Sequence, residues 1–418
     1  MSQHHITETQ KQLLDACASG NKEELLELVS EGCDPVEIYN ECGQTPLHIA
    51  CYHGQFDIVR LLAAYGCDHQ RTDDRGCMPI HEACLGGHLK TAVYLLDDLY
   101  LEDDSGDIIL HKACRSGNLA LTRAVVDNIM TKSNYDKVNL YYDDVYPYHK
   151  CLNVRDEVDT SLTPKSPPKP LVSLNLHGDT PLHTACRRGH LNIVKYFMDE
   201  LHERVAFTFT ASLLQVACQS GQTEVLQYLL ETKGGNPMEA NLGVADCGRS
   251  SYQISRARIS FGNSLVHTAC LCGNVSLVKA LLTQYKPCLT TQNQIGETPL
   301  HCACISDNVS LVSLLVTEYS CECETPNLKG NTPLHTACEW GSLRVANILI
   351  NDFHCNPNIC NKDGETPLHF ACKYGRLDIC NLLFADNCNS CDITIQTSTK
   401  ETPLHMACYG TSPEVVKS

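Results

Sequence analysis

The chain has 418 residues, too many for one compact core and enough for two or three domains or one elongated array. Its hydrophobic content of 43% is ample for burial, which excludes wholesale disorder. The formal charge of -17 repels phosphate backbones and anionic lipid headgroups, so nucleic acid and membrane surfaces are excluded as first partners.

No apolar run approaches the roughly 20 residues that cross a bilayer, so direct membrane insertion is not expected. The opening "MSQHHITETQKQLLDACASG" has no hydrophobic core of a signal peptide. The 27 cysteines are odd in number and spread over a long chain, and they read as reduced thiols in the cytoplasm or nucleus.

Taken in chain order, an "AC" dipeptide recurs. Its cysteine falls at Cys17, Cys51, Cys84 and Cys114, then at Cys186 and Cys218, then at Cys270, Cys304, Cys338, Cys372 and Cys408. The steps run from 30 to 36 residues, apart from two of 72 and 52, which is the signature of a repeat array with two interruptions. The array divides into N-terminal repeats (10–131), an insertion (132–176), middle repeats (177–231), a second insertion (232–261) and C-terminal repeats (262–418). The last repeat stops inside its second helix, which suggests a fragment of a longer chain.

Each repeat reads as a helix pair. In "ETPLHCAC", Thr298 sits at an N-cap and Pro299 at the first helical position, where a missing N–H costs nothing. His301 takes the place of the Glu or Gln of a capping box and can reach back to the cap. Glycine follows three residues after most marker cysteines and ends the first helix. A second helix follows with apolar residues at helical spacing, such as Ile58, Val59 and Leu62.

These residues resemble the ankyrin repeat: Gly-x-Thr-Pro-Leu-His-x-Ala, a glycine after the first helix, and Ile-Val-x-x-Leu-Leu in the second. The resemblance covers about 340 residues in ten or eleven units. It implies an all-α solenoid of stacked antiparallel helix pairs with hairpin-like loops. It also implies a binding role without catalysis. The chain departs from the pattern in using "AC" for the usual two alanines. Gln215 replaces the histidine of one unit, and Asp307 and Thr411 replace the closing glycine.

Nine histidines occupy the "LH" column, from His48 to His405, and are expected to tie the cap and turn of their own units. A metal or catalytic centre needs different groups converging on one point, which a column of identical groups does not supply. The marker cysteines are expected to pack as small hydrophobes without bridging. The best metal candidate is Cys388 and Cys391, a single C-x2-C with Cys355 and Cys360 one unit earlier; without a second pair it is a weak signal, and no metal or cofactor is assigned. In the first insertion, "SLTPKSPPKPLVS" is expected to be extended and non-helical, with Thr163 and Ser166 as candidate phosphorylation or docking positions.

Function is therefore expected to lie in binding a protein partner as a monomeric, non-enzymatic scaffold or adaptor. Two alternatives remain open: the ankyrin region of a larger signalling protein or ion channel, and a thiol-rich metal or redox protein. In the ankyrin-like register, the residue between His and Ala and the two residues after the marker cysteine are expected to face the concave side. In the C-terminal units these are Thr336, Glu339, Trp340, Phe370, Lys373, Tyr374, Met406 and Tyr409.

Overall fold

The computed structural model describes residues 7–96, 101–135, 169–201, 210–233, 262–286, 288–384 and 391–409. Among them there is helix and turn but no strand. The chain forms two compact units, Met1–Phe209 and Thr210–Ser418.

Every marker cysteine lies on a first helix. In the first unit these helices are Glu8–Ser19, Pro46–Tyr52, Pro79–Leu85, Ile109–Ser116 and Pro181–Arg188. In the second they are Thr210–Gln219, Leu265–Leu271, Pro299–Ile305, Pro333–Trp340, Pro367–Lys373 and Pro403–Tyr409. A second helix returns along most of them, for example Phe56–Ala64, Val275–Tyr285 and Leu343–Asn351. Two second helices, Leu191–Lys195 and Val309–Ser313, widen into π turns over Tyr196–Leu201 and Leu314–Glu318.

Consecutive first helices pack side by side within each unit. The small Ala-Cys pairs permit this approach: Ala50, Cys51, Ala303, Cys304, Ala337 and Cys338 all have no exposure. Apolar residues of the second helices, such as Ile58, Val59 and Leu62, close the core of each repeat.

The two repeats flanking the first insertion stack directly on one another. His111 Nε2 donates to the Asp179 carbonyl at 2.9 Å, across 68 residues of sequence. Asn175 Nδ2 donates to Asp107 Oδ1 at 2.8 Å, and Leu176 N–H to the Ser105 carbonyl at 2.9 Å. Helix Leu119–Tyr135 runs into the segment assigned to the insertion. The expectation of an extended, non-helical proline-rich stretch is corrected at its end. Lys169–Val172 form a helical turn whose Pro170, Leu171 and Val172 are buried, and that burial overrides the local preference. Thr163 and Ser166 lie outside the described residues, as do Cys388 and most of the second insertion.

Candidate functional site

The histidine column does more than the sequence predicts. In the repeat at Pro333–Trp340, Thr332 N–H donates to His335 Nδ1 at 3.1 Å. That nitrogen therefore offers its lone pair, and the ring proton sits on Nε2. His335 Nε2 donates to the Glu365 carbonyl in the next repeat at 3.1 Å. The same pair of bonds holds His48 to Thr45 and Cys77, His267 to Ser264 and Glu297, and His301 to Thr298 and Asn331. The expectation of a tie within one unit is thus corrected, because the far nitrogen bridges to the following loop. With both nitrogens engaged, these rings have no lone pair left for a metal. Burial pushes the pKa of His183, His267 and His335 down to about 4, so they stay neutral near pH 7.

A second column of staples lies at the start of the second helices. Gln55 Nε2 donates to the Ala18 carbonyl, His88 Nε2 to that of Tyr52, Asn118 Nδ2 to that of Gly87 and Asn308 Nδ2 to that of Gly273, at 2.8–3.0 Å. Each reaches back to the end of the preceding first helix. The closing glycine makes room for this side chain. A Cβ on Gly54 would stand 2.2 Å from His88 Nδ1. The sequence shows only the other reason for glycine, a positive φ, which is 70° at Gly54.

Asp73, Cys77 and Glu82 bring ligand-type atoms within 4.8 Å of one another in a buried cluster. A cation already occupies it: the Arg75 guanidinium pairs with Asp73 at 2.9 Å and Glu82 at 2.5 Å. One repeat on, Lys112 pairs with Asp103 and Asp107, and Arg115 with Asp107 at 2.6 Å. Arg187 and Asp179 continue the series at 2.9 Å. This ladder of internally neutralised charges joins each loop to its own first helix. Sequence spacing of about eight residues, as in Asp107 and Arg115, could have revealed it.

The marker cysteines are buried thiols except Cys408, which is exposed. Burial pushes Cys17 and Cys84 up to about 12 and raises Cys114, Cys218 and Cys338 well above the ordinary thiol range. They are protonated packing groups near pH 7. Of the proposed metal cysteines, Cys355 is buried, Cys360 exposed and Cys391 half-buried.

The residues expected on the concave face divide into two sets. Thr336, Phe370 and Met406 are 2%, 6% and 8% exposed, which corrects their placement on the surface. Their position faces the adjacent first helix, as the buried Glu82, Lys112, Thr184, Thr268 and Cys302 of other repeats also show. The Phe370 ring meets the His335 imidazole edge-on, with centroids 5.5 Å apart. The residues after the marker cysteine reach outward instead. Glu339 and Trp340 are half-buried, and Lys373, Tyr374 and Tyr409 are exposed. Lys373 Nζ stands 6.0 Å from both the Phe370 and Tyr374 ring centroids and 3.4 Å from Glu365. The result is a surface of aromatic rings and one cation, carried on consecutive first helices, with no acid–base constellation.

Stacked helix pairs tied by side chains that cross from repeat to repeat define a solenoid-type repeat protein. A family model for ankyrin repeats matches residues 13–103, 159–241, 248–327, 266–358 and 342–418. The chain belongs to the ankyrin-repeat family, whose members bind proteins and are generally non-enzymatic. Among curated relatives, the ARF GTPase-activating protein GIT2 of Mus musculus is 39% identical over 90 residues, 22% of this chain and 13% of that protein. The glycerophosphocholine phosphodiesterase GDE1 of Candida albicans is 40% identical over 77 residues, 18% of this chain and 7% of that protein. The ARF GTPase-activating protein Git of Drosophila melanogaster is 32% identical over 93 residues, 22% of this chain and 13% of that protein. The match thus spans no more than 13% of any of these three relatives. Among the described residues, no helix is long and apolar enough to cross a membrane.

Proposed function

We propose that the chain is a non-enzymatic scaffold that binds a protein partner along the outward-facing ends of its C-terminal first helices. The observation that carries this reading is the row formed by Trp340, Lys373, Tyr374 and Tyr409. Tyr374, at the cap of Pro367–Lys373, and Tyr409, the last residue of Pro403–Tyr409, are 42% and 73% exposed. Exposed aromatic groups in contiguous array are the ordinary anchors of protein interfaces. The chain would act as a monomer in the cytoplasm or nucleus; the abundance of unbridged thiols supports the reducing compartment. A second reading, as one module of a larger signalling protein, is favoured by the relatives, in which the matching segment is a minor part of the whole.

Capture from cell extract on the immobilised chain, compared with Trp340→Ala, tests the proposal. Proteins retained by the parent should bind the variant about 2 kcal/mol or more weakly, with the melting temperature preserved. A lowered melting temperature with unchanged capture would show that Trp340 serves the fold instead.

A further inference from the structure

One buried position of the repeat changes its chemistry. The fourth residue of the second helix is Val59, Val194, Val278 and Val312 in four repeats and Ala92 and Ala346 in two others, all buried. In the repeat at Leu377–Phe384 it is Cys380, which has no exposure. The substitution sets its sulfur 3.9 Å from that of the marker Cys372, on the first helix of the same repeat. Packing alone does not call for a thiol where valine or alanine serves elsewhere.

We propose that Cys372 and Cys380 form a dithiol that hydrogen peroxide converts to an intramolecular disulfide. The two sulfurs are in contact, and closing to the S–S bond length of about 2.05 Å requires movement of less than 2 Å. Cys372 is 5% exposed and Cys380 is sealed, so Cys372 meets the oxidant first. The Cys372 sulfur attacks one peroxide oxygen, the O–O bond breaks, and the departing hydroxide takes the Cys372 thiol proton to leave as water. The sulfenic acid on Cys372 is then attacked by the Cys380 sulfur, which expels a second water with the Cys380 proton. Two thiols lose two electrons and two protons, and one peroxide becomes two waters. The closed loop contains Lys373 and Tyr374, so the reduced and oxidised forms differ beside the candidate docking surface.

The full chain, reduced and then treated with hydrogen peroxide, is alkylated in denaturant and digested with trypsin without reductant. Lys373 and Arg376 lie between the two cysteines, so trypsin places them on separate peptides; the Cys380 peptide also carries Cys388 and Cys391, so fragmentation of the linked pair identifies which sulfur is bridged. The linked pair is expected, and a dithiol should release it. Cys380→Val returns the position to the residue found in four other repeats, so the fold is retained. In that variant the linked pair should vanish, and dimedone, a sulfenic-acid probe, should label Cys372. Cys338 and Cys391 lie close enough to interact electrostatically with Cys372. Linkage of Cys372 to either of them in place of Cys380 would overturn the proposal. So would Cys372 recovered as the free thiol after peroxide treatment of the parent chain.

Discussion

His335 carries two hydrogen bonds that belong to different repeats. The ring has no solvent exposure. His335→Ala leaves the Thr332 N–H and the Glu365 carbonyl without those partners, so it should cost about 1–3 kcal/mol of stability, read as a lower urea midpoint. Added zinc should leave the melting temperature where it is, because the ring has no nitrogen to offer. The same burial makes stability depend on pH. The folded pKa of His183, His267 and His335 is about 4, below the unfolded value of about 6.5. The unfolded chain therefore gains protons first as pH falls. Stability should be flat near pH 7 and decline between pH 6.5 and 4, by up to roughly 1.4 kcal/mol per pH unit for each histidine. A urea midpoint unchanged between pH 7 and 5 would contradict this. The cap half of the histidine's role was legible in the sequence, because Thr-x-x-His is local. The bridging half was not, since its acceptor lies 30 residues on and depends on how neighbouring repeats are seated.

At the scale of helices, the second-helix staple and the closing glycine act as a pair, and one repeat shows what happens when both change. Asp307 stands where the glycine belongs, at a φ of 49°, and Ser342 stands where Gln, His or Asn reaches back in other repeats. Ser342 is too short to reach the preceding helix end. Asp307 reaches forward in its place: its Oδ1 accepts from Val345 N–H at 3.1 Å, in the first turn of Leu343–Asn351. Asp307→Ala should therefore lose about 1 kcal/mol as a helix cap does. The double change Asp307→Gly with Ser342→Asn should recover that loss, because it rebuilds the arrangement of Gly273 and Asn308. Thermal unfolding of the parent and both variants checks this; a double variant no more stable than Asp307→Ala would break the pairing. Asp307 read as a simple departure in the sequence, because its compensation sits in the next repeat.

Within the second unit, stability should be graded along the stack. The helix Thr210–Gln219 has Gln215 where the other first helices of this unit have histidine. Gln215 Nε2 still reaches the next repeat, donating to Thr268 Oγ1 at 2.7 Å, but its repeat lacks the Thr-Pro entry. In an array that gains stability from nearest neighbours, amides of Thr210–Gln219 and Thr223–Lys233 should exchange before those of Pro333–Trp340 and Leu343–Asn351. Equal protection in both places would show that the irregular repeat is not a weak point. The helix-pair unit and its period were legible because each repeat restates them. The division of the residues expected on the concave face was not, because a single-helix register does not say which face the adjacent repeat covers.

Buried columns hold the stack, and the proposed function assigns the outward aromatic groups to a partner. The direct measurement is to compare His335→Ala and Tyr374→Ala for both melting temperature and quantitative capture of proteins from extract, at a temperature where both are folded. The division predicts that His335→Ala lowers the melting temperature and retains the captured proteins. It predicts that Tyr374→Ala keeps the melting temperature and loses them. Capture retained by Tyr374→Ala, or lost equally by both variants, would contradict it.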